Sequence, residues 1–450
     1  MEFHAVIFCG DGSDLAPFSA TRESGIPKAS LPIANRAMLE YVLEWCDQAP
    51  FKQVTVACNK DDGSIAKIVE TYKAKRDPEL VQSSGMDYFL FESSNTGSAL
   101  TALKDRLNMD TVILPCDFIT DLPPQVLIEA YRSRDDVDLG MGVHYNNTLE
   151  NLDKKTLKTG YTIYATQEDG SICLLDLYSK QSVSVSKALK VRTQMLWRFP
   201  RASVSTKLLD SSIFFFSKKV PKILEEEKVA VAGRSITKVK RELARRSWKH
   251  GDPKETLGLF IAPDVCTFAR CNNLAVYMEV NRWFLKAMAK NIAGAGHGHM
   301  APKEKGAATV GADSLVGDGT ELGERTSVKR SVVGKNCRIG KRCRLTGCIL
   351  MDNVVLEDDV QLENCIVGLG AQLHSKCRLT NCNVEGSYIV AKSTQVKGET
   401  LLNITLSGLV NVNTDSSDEY DSEAEGDSDN SYDDDRLEEF EDDIDDGLFG

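Results

Sequence analysis

The chain has 450 residues, with 54 Lys or Arg against 66 Asp or Glu and a formal net charge of −12. This length predicts more than one domain, and 42% hydrophobic residues exclude disorder throughout the chain. The charge is uneven, because residues 415–450 hold 18 acidic residues and one basic residue, which leaves the other 414 residues at +5. We therefore predict a mildly basic folded body and a disordered acidic tail, so the net charge does not exclude anionic partners for the body.

The first third of the chain alternates between short apolar runs and segments of helical period. The runs predict buried strands at 5–8, 54–57, 88–91, 112–114 and 139–143. The segments between them predict helices at about 36–48, 64–76, 97–107 and 124–134. Buried strands that alternate with helices predict a parallel sheet covered on both faces.

The next part of the chain has a different pattern. Apolar runs at 161–164, 172–175 and 213–216 favour antiparallel strands. A basic helix is predicted at about 235–249, and another helix at 274–292.

A 17-residue repeat is the strongest pattern in the chain. Three series of positions at this step are occupied only by Val, Ile or Leu. The series are 316, 333, 350, 367 and 384; 322, 339, 356, 373 and 390; and 328, 345, 362, 379 and 396. Each unit divides into six, six and five residues, which predicts a parallel β-helix with three flat faces.

A second inward position precedes each of these aliphatic residues by two, and it must be small because the prism is narrow. Six of the thirteen cysteines occupy this position, so they are predicted to be core residues rather than metal ligands or redox groups. They are Cys337, Cys343, Cys348, Cys365, Cys377 and Cys382.

Composition also predicts the domain boundaries, because a glycine-rich segment with little apolar content precedes the repeat. We expect a first domain at 1–293, a linker at 294–309, the β-helix at 310–410 and the disordered acidic tail at 411–450. No apolar run is long enough to span a membrane, and the chain does not open on a signal sequence, so a cytoplasmic protein is expected.

Two segments near the N-terminus indicate a site that binds phosphates. The strand at 5–8 leads into Cys9-Gly10-Asp11-Gly12-Ser13-Asp14-Leu15, and Ile26-Pro27-Lys28-Ala29-Ser30-Leu31-Pro32 follows. Glycines in such a loop let backbone N–H groups approach phosphates closely. These segments resemble the glycine-rich loop and the Pro-Lys segment of the sugar-1-phosphate nucleotidyltransferases, also called pyrophosphorylases.

That resemblance implies a Rossmann-like nucleotidyltransferase domain and a set of pocket residues. Asp117 matches the family's magnesium-binding aspartate, and Ser212 stands where the family has a pocket glycine. The residues that the resemblance places in a degenerate nucleotide or sugar-phosphate pocket are Gly10, Gly12, Lys28, Thr96, Gly97 and Asp117.

The loop departs from the family at the position that should meet the triphosphate. Asp14 stands where the family has arginine, and Asp11 stands at a glycine position. A charge reversal turns attraction into repulsion, worth about 4 kcal/mol for each unit contact at about 4 Å and an effective dielectric near 20. We therefore expect no catalytic residues, no metal, no cofactor and no nucleotidyl transfer.

A nucleotidyltransferase-like domain followed by a left-handed β-helix is similar to the gamma and epsilon subunits of translation initiation factor 2B. The opening Met1-Glu2-Phe3-His4 run and Leu209-Asp210 resemble the gamma family, and we expect that epsilon's helical exchange domain does not follow Val396. This resemblance implies a cytoplasmic hetero-oligomer that exchanges guanine nucleotide on translation initiation factor 2. The implied partners are the epsilon and other subunits and initiation factor 2, with no membrane and no sequence-specific nucleic acid.

Other functions remain open from the sequence. The main alternative is an active sugar-1-phosphate nucleotidyltransferase, such as a mannose-1-phosphate guanylyltransferase. A hexapeptide acyltransferase would need His374, the only histidine of the repeat, and a metal site would need His297 and His299. The basic helix with Trp248 indicates either an RNA-binding patch or, as we expect, a solvated basic face. Kinase sites are conceivable in the acidic tail at Ser416, Ser422 and Ser431.

Overall fold

A computed structural model describes most of the chain. It covers residues 3–59, 63–91, 96–135, 137–153, 155–157, 159–226, 235–250, 254–294 and 307–403. The predictions for the histidines of the linker and for the acidic tail with its serines lie outside the described residues. Within the described ranges, no helix combines the length and the apolar character needed to cross a bilayer.

The part of the chain before the linker contains both helices and strands. Its strands are β1 (Phe3–Cys9), β2 (Pro32–Ile33), β3 (Arg36–Ala37), β4 (Phe51–Cys58), β5 (Gly85–Leu90), β6 (Asp110–Pro115), β7 (Phe118–Thr120), β8 (Asp138–Tyr145), β9 (Gly160–Thr166), β10 (Ile172–Ser179), β11 (Ala202–Ser205), β12 (Leu209–Phe216), β13 (Thr256–Ile261) and β14 (Phe268–Arg270). Its helices are α1 (Met38–Asp47), α2 (Ser64–Lys75), α3 (Pro78–Ser83), α4 (Thr96–Ala102), α5 (Pro124–Arg132), α6 (Lys180–Ser186), α7 (Thr193–Arg198), α8 (Val220–Glu226), α9 (Ile236–Lys249) and α10 (Leu274–Gly294).

Ten of these strands form one mixed sheet in the order β11-β9-β10-β13-β8-β12-β6-β1-β4-β5. Strands β6, β1, β4 and β5 are parallel, as predicted for the first third of the chain. The antiparallel strand β12 inserts between β6 and β8, so β8 does not extend the parallel block directly. The sequence pattern could not place β12 there, because strand order depends on pairing between distant segments.

Both faces of the central strand β1 are buried, which explains its unbroken apolar run. Ala5 and Ile7 point into one core cluster with α1 and α5, whereas Val6 and Phe8 point into a second cluster with α4 and α9. Successive side chains of a strand alternate between faces, so a run of this kind can feed two cores at once. The prediction of a sheet covered on both sides is confirmed.

The 17-residue repeat folds as a parallel β-helix of three sheets, as predicted. One face holds Thr309–Val310, Ser327–Lys329, Arg344–Thr346, Gln361–Glu363, Arg378–Thr380 and Gln395–Lys397. The second holds Leu315–Val316, Val332–Val333, Ile349–Leu350, Ile366–Val367, Asn383–Val384 and Thr400–Leu401, and the third holds Glu321–Leu322, Arg338–Ile339, Val355–Leu356, Gln372–Leu373 and Ile389–Val390. The aliphatic residues stack in the expected register, for example Val333 on Leu350 and Leu350 on Val367.

The small inward positions are also confirmed. All six cysteines of the repeat are buried and free, and they share one core with the stacked aliphatic residues. Several of their thiols donate to backbone carbonyl oxygens of the next coil, such as Cys337 Sγ to Met351 O at 3.2 Å. The thiols therefore act as compact apolar side chains with a weak donor.

The β-helix packs against the first part of the chain. Apolar side chains of its second face, including Ile349 and Ile366, pack in one cluster with Tyr277 of α10 and with Phe18. The largest polar contact is Glu385, which is 2% exposed and accepts from Arg22 Nε at 2.5 Å and Ser24 Oγ at 2.9 Å. The segment that follows the glycine-rich loop is thus held by the β-helix.

Candidate functional site

A buried cluster of charges lies where the sequence places the pocket. Lys28 opens a short 3₁₀ turn after Pro27, and Asp117 lies between β6 and β7. Strand β14 pairs antiparallel with β7, which brings Arg270 beside Asp117 although 153 residues separate them. Lys28 Nζ lies 3.1 Å from Asp117 Oδ2, and the Arg270 guanidinium donates to Oδ1 at 2.9 and 2.7 Å.

These charges are sealed from solvent. The side chains of Lys28 and Asp117 are 0% exposed, and that of Arg270 is 3% exposed. Burial raises the pKa of Asp117, but Arg270 and Lys28 outweigh burial and hold the pKa below its usual value. Asp117 is therefore an ionised counterion for two cations.

This arrangement does not fit the magnesium-binding role implied by the resemblance. Both carboxylate oxygens of Asp117 face cationic side chains, so a divalent cation would have to displace Lys28 and Arg270. Displacement would leave buried cations without their counterion, which is costly in a low-dielectric interior.

The glycine-rich loop closes over Lys28. Gly12 adopts a left-handed backbone with φ of 74°, and a methyl group at this position would lie 3.0 Å from Cβ of Lys28. The glycine is therefore needed for contact with the stem of a protein side chain. Gly10 follows β1 and is buried, whereas Asp14 is exposed on the 3₁₀ turn Ser13–Leu15.

Ser212 retains the backbone expected of the glycine it replaces. Its φ is 56°, in the left-handed region that favours glycine, and its hydroxyl accepts from Arg270 Nη1 at 2.5 Å. Its neighbour Asp210 forms an ion pair with Lys240 of α9. Burial raises the pKa of Asp210, but Lys240 and His144 outweigh it and lower the pKa to about 2. The position at which the resemblance implies a pocket glycine is here part of a polar junction between β12, β14 and α9.

Thr96 and Gly97 are buried in α4 and do not join the cluster, and Thr96 contacts another helix. The amide N–H of Ile236, the first residue of α9, donates to Oγ1 of Thr96 at 2.7 Å. This bond satisfies one of the unpaired donors at a helix N-terminus. Of the predicted pocket residues, the structure places Gly12 and Asp117 beside Lys28.

The expectation of a solvated basic face on α9 is wrong, and the RNA-patch interpretation meets the same objection. Lys240, Arg241 and Arg246 are each at most 6% exposed, and each pairs with a carboxylate. Arg241 Nε, for example, donates to Asp176 Oδ1 at 2.8 Å. Trp248 is buried as well, and its indole N–H donates to Leu175 O at 2.8 Å.

His374 lies on the outer surface of the β-helix. Its Nδ1 is 2.7 Å from Glu357 Oε1, and the side chains are 42% and 47% exposed. The contact is a surface pair between adjacent coils, which offers an acyltransferase reaction no enclosed site.

Arg270 and Lys240 are the functional-site residues that the sequence did not reveal. Neither lies in a recognisable motif, and each meets its carboxylate only through tertiary pairing. The one available signal was indirect. Asp117 follows the apolar strand β6 and Asp210 lies in the apolar strand β12, and a buried carboxylate in such surroundings needs a cation.

A mixed α/β sheet with a nucleotidyltransferase-type loop, joined to a parallel β-helix, defines the class of nucleotidyltransferase-like β-helix proteins. Residues 302–400 match the family described as "EIF2B subunit epsilon LbH domain", which agrees with a left-handed β-helix. Over 439 residues the chain is 30% identical to translation initiation factor eIF2B subunit gamma of Schizosaccharomyces pombe, covering 90% of both chains. It is 23% identical over 244 residues to the subunit of the same name from Dictyostelium discoideum, covering 50% of this chain and 52% of that protein. The chain belongs to the eIF2B gamma subunit family, which confirms the resemblance seen in the sequence.

Proposed function

We propose that the chain is a non-catalytic subunit of eIF2B, the guanine-nucleotide exchange factor for initiation factor 2. Its role is to pair with the epsilon subunit in the cytoplasm and to support exchange and its regulation by phosphorylated initiation factor 2. Family membership supports the complex, and the Lys28–Asp117–Arg270 cluster supports the absence of catalysis.

The cluster supports this proposal because it engages the groups that nucleotidyl transfer would need. Lys28 cannot reach a phosphate while it is fully buried against Asp117 and covered by Gly12. Asp11 and Asp14 add negative charge to the loop where a triphosphate would lie. The mechanism is then one of surfaces, in which contacts that differ between two forms of the client shift the productive population.

Two assays on the purified chain and its complex test the proposal. Exchange of guanine nucleotide on initiation factor 2 should fall when eIF2B is assembled without this chain. Pyrophosphate release from nucleoside triphosphates with hexose-1-phosphates should stay at the background of a heat-denatured sample, with an active guanylyltransferase as the positive control.

The alternative, an active sugar-1-phosphate nucleotidyltransferase, makes the opposite prediction. Steady turnover that is lost in Asp117→Asn, while the fold is retained, would reinstate it and sink the proposal. Recovery of the tagged chain from native extract without any translation factor would also refute the proposal.

A further inference from the structure

One edge of the large sheet carries a basic surface with an exposed tryptophan. Between Leu177 and Leu209 the chain has seven Lys or Arg residues and no Asp or Glu. This stretch forms α6, α7 and the edge strand β11. We name its exposed surface the Trp197 face and define it by Lys187, Lys190, Trp197, Arg201, Val204 and Lys207.

The Trp197 face is held firmly by the residues beneath it. Met195 is fully buried in a cluster with Trp248, and Arg198 donates to the carbonyl oxygens of Ser247 and His250 at 2.9 and 2.6 Å. These contacts fix the inner side of α7 and turn Trp197 outward, where it is 79% exposed. A rigid, exposed Trp beside cations is typical of a binding surface, because Trp and Arg dominate interface energetics.

Strand β11 adds an open backbone edge to this surface. It pairs with β9 on one side and is the terminal strand of the sheet order, so its other side carries no strand within the described residues. Arg201 and Lys207 flank β11, and their charges disfavour its pairing with the same strand of a second copy of the chain. These charges favour an acidic chain as the occupant of this edge.

The chain itself contains a segment of the complementary composition. Residues 415–450 hold 18 acidic residues against one basic residue, and they also contain Tyr420, Tyr432, Phe440 and Phe449 for contact with Trp197. The 47 residues from 404 onward could span about 150 Å when extended, enough to reach any part of a protein of this size. Tethering keeps the local concentration of the segment at about the millimolar level, which favours it over acidic partners that are free in solution.

We propose that residues 415–450 dock in cis on the Trp197 face. The acidic side chains pair with Lys187, Lys190, Arg201 and Lys207, and an aromatic residue of the tail contacts Trp197. In this arrangement the tail covers a surface that is otherwise open to anionic macromolecules.

The test uses a synthetic peptide of residues 415–450 and a chain truncated to 1–414, which keeps all the described contacts. The peptide should bind the truncated chain, bind the full chain at least tenfold more weakly, and lose affinity as salt rises. The variant K187Q/K190Q/R201Q/K207Q should weaken peptide binding to the truncated chain at least tenfold. The matched control K335Q/R338Q/R344Q/R378Q removes the same charge from exposed positions of the β-helix and should change affinity by less than threefold.

A second readout needs no truncation. In the full chain, acrylamide should quench Trp197 weakly, and the face variant should raise quenching to the level of the truncated chain, with Trp197→Ala as the assignment control. Equal peptide affinity for the full and truncated chains, or equal losses in the face and control variants, would overturn the proposal. Tight binding of a single-stranded RNA to the full chain, with no peptide binding to the truncated chain, would also overturn it and assign the face to nucleic acid.

Discussion

Asp117→Asn is expected to act on stability, because Asp117 is the counterion of two buried cations. The substitution keeps the shape of the side chain but removes the negative charge that faces Lys28 and Arg270. Removing one member of a buried ion pair costs about 3–5 kcal/mol. Since 1 kcal/mol shifts the melting temperature of a domain of this size by about 2–3 °C, we expect a fall of about 6–15 °C.

The assay is differential scanning fluorimetry of the full chain at neutral pH and two salt concentrations. The control is Asp359→Asn, which also removes a carboxylate bonded by two nitrogens of an arginine, Arg342, but with side chains 53% and 35% exposed. Solvent screens an exposed pair, so the control should shift the melting temperature by no more than about 3 °C.

A double variant tests whether the buried cations cause the loss of stability. Adding Lys28→Met to Asp117→Asn removes one of the two buried cations that lose the Asp117 charge, so part of the lost stability should return. If Asp117→Asn melts within about 1 °C of the parent, or if the double variant is less stable than the single one, Asp117 is not the counterion inferred here.

Three further outcomes are expected. Burial lowers the pKa of His144 from 6.5 to about 4. The imidazole is therefore protonated in the unfolded chain but not in the folded one as pH falls from 6.5 to 4, which lowers the free energy of unfolding by about 3 kcal/mol. In His144→Leu the free energy of unfolding, measured with denaturant, should depend less on pH over that range, and an unchanged slope would contradict the assignment. Glu385→Gln should lower the free energy of unfolding by about 1–3 kcal/mol and speed amide hydrogen exchange around Arg22. Glu324→Gln on the β-helix surface should not reproduce this effect. Of thirteen free thiols only Cys266 is not buried, so Ellman's reagent should modify about one thiol rapidly in the native chain and none in Cys266→Ser. Rapid reaction of several thiols would contradict the burial of the other cysteines.

The β-helix could be predicted almost completely from the sequence, because its signal is periodic. Each inward residue recurs 17 positions later, and the register of Val333, Leu350 and Val367 follows directly from that step. Local composition therefore encodes the tertiary contact. The inward cysteines could be assigned for the same reason, since a narrow prism admits only small side chains at those positions.

The charge cluster could be predicted only in part. Lys28 and Asp117 stood in recognisable segments, but Arg270 follows Asp117 by 153 residues and has no motif of its own. The same limit explains the error at α9, where a basic stretch looks solvated until strand pairing brings Asp176 and Asp210 against it. Segments 180–186 and 193–198 were not predicted as helices, because helices this short leave no clear period.

The docking of the β-helix has a consequence for how the length of this chain can change. Each coil adds about 4.8 Å along the stack, so an insertion or deletion in the strands keeps the stacking register only if it comprises whole 17-residue units. An extra coil between Ile366 and Glu385 would move Glu385 by one such step and separate it from Arg22. An extra coil after Leu401 would leave every apolar docking contact in place. Length variation among relatives is therefore expected in steps of 17 residues and at positions beyond the last docked coil.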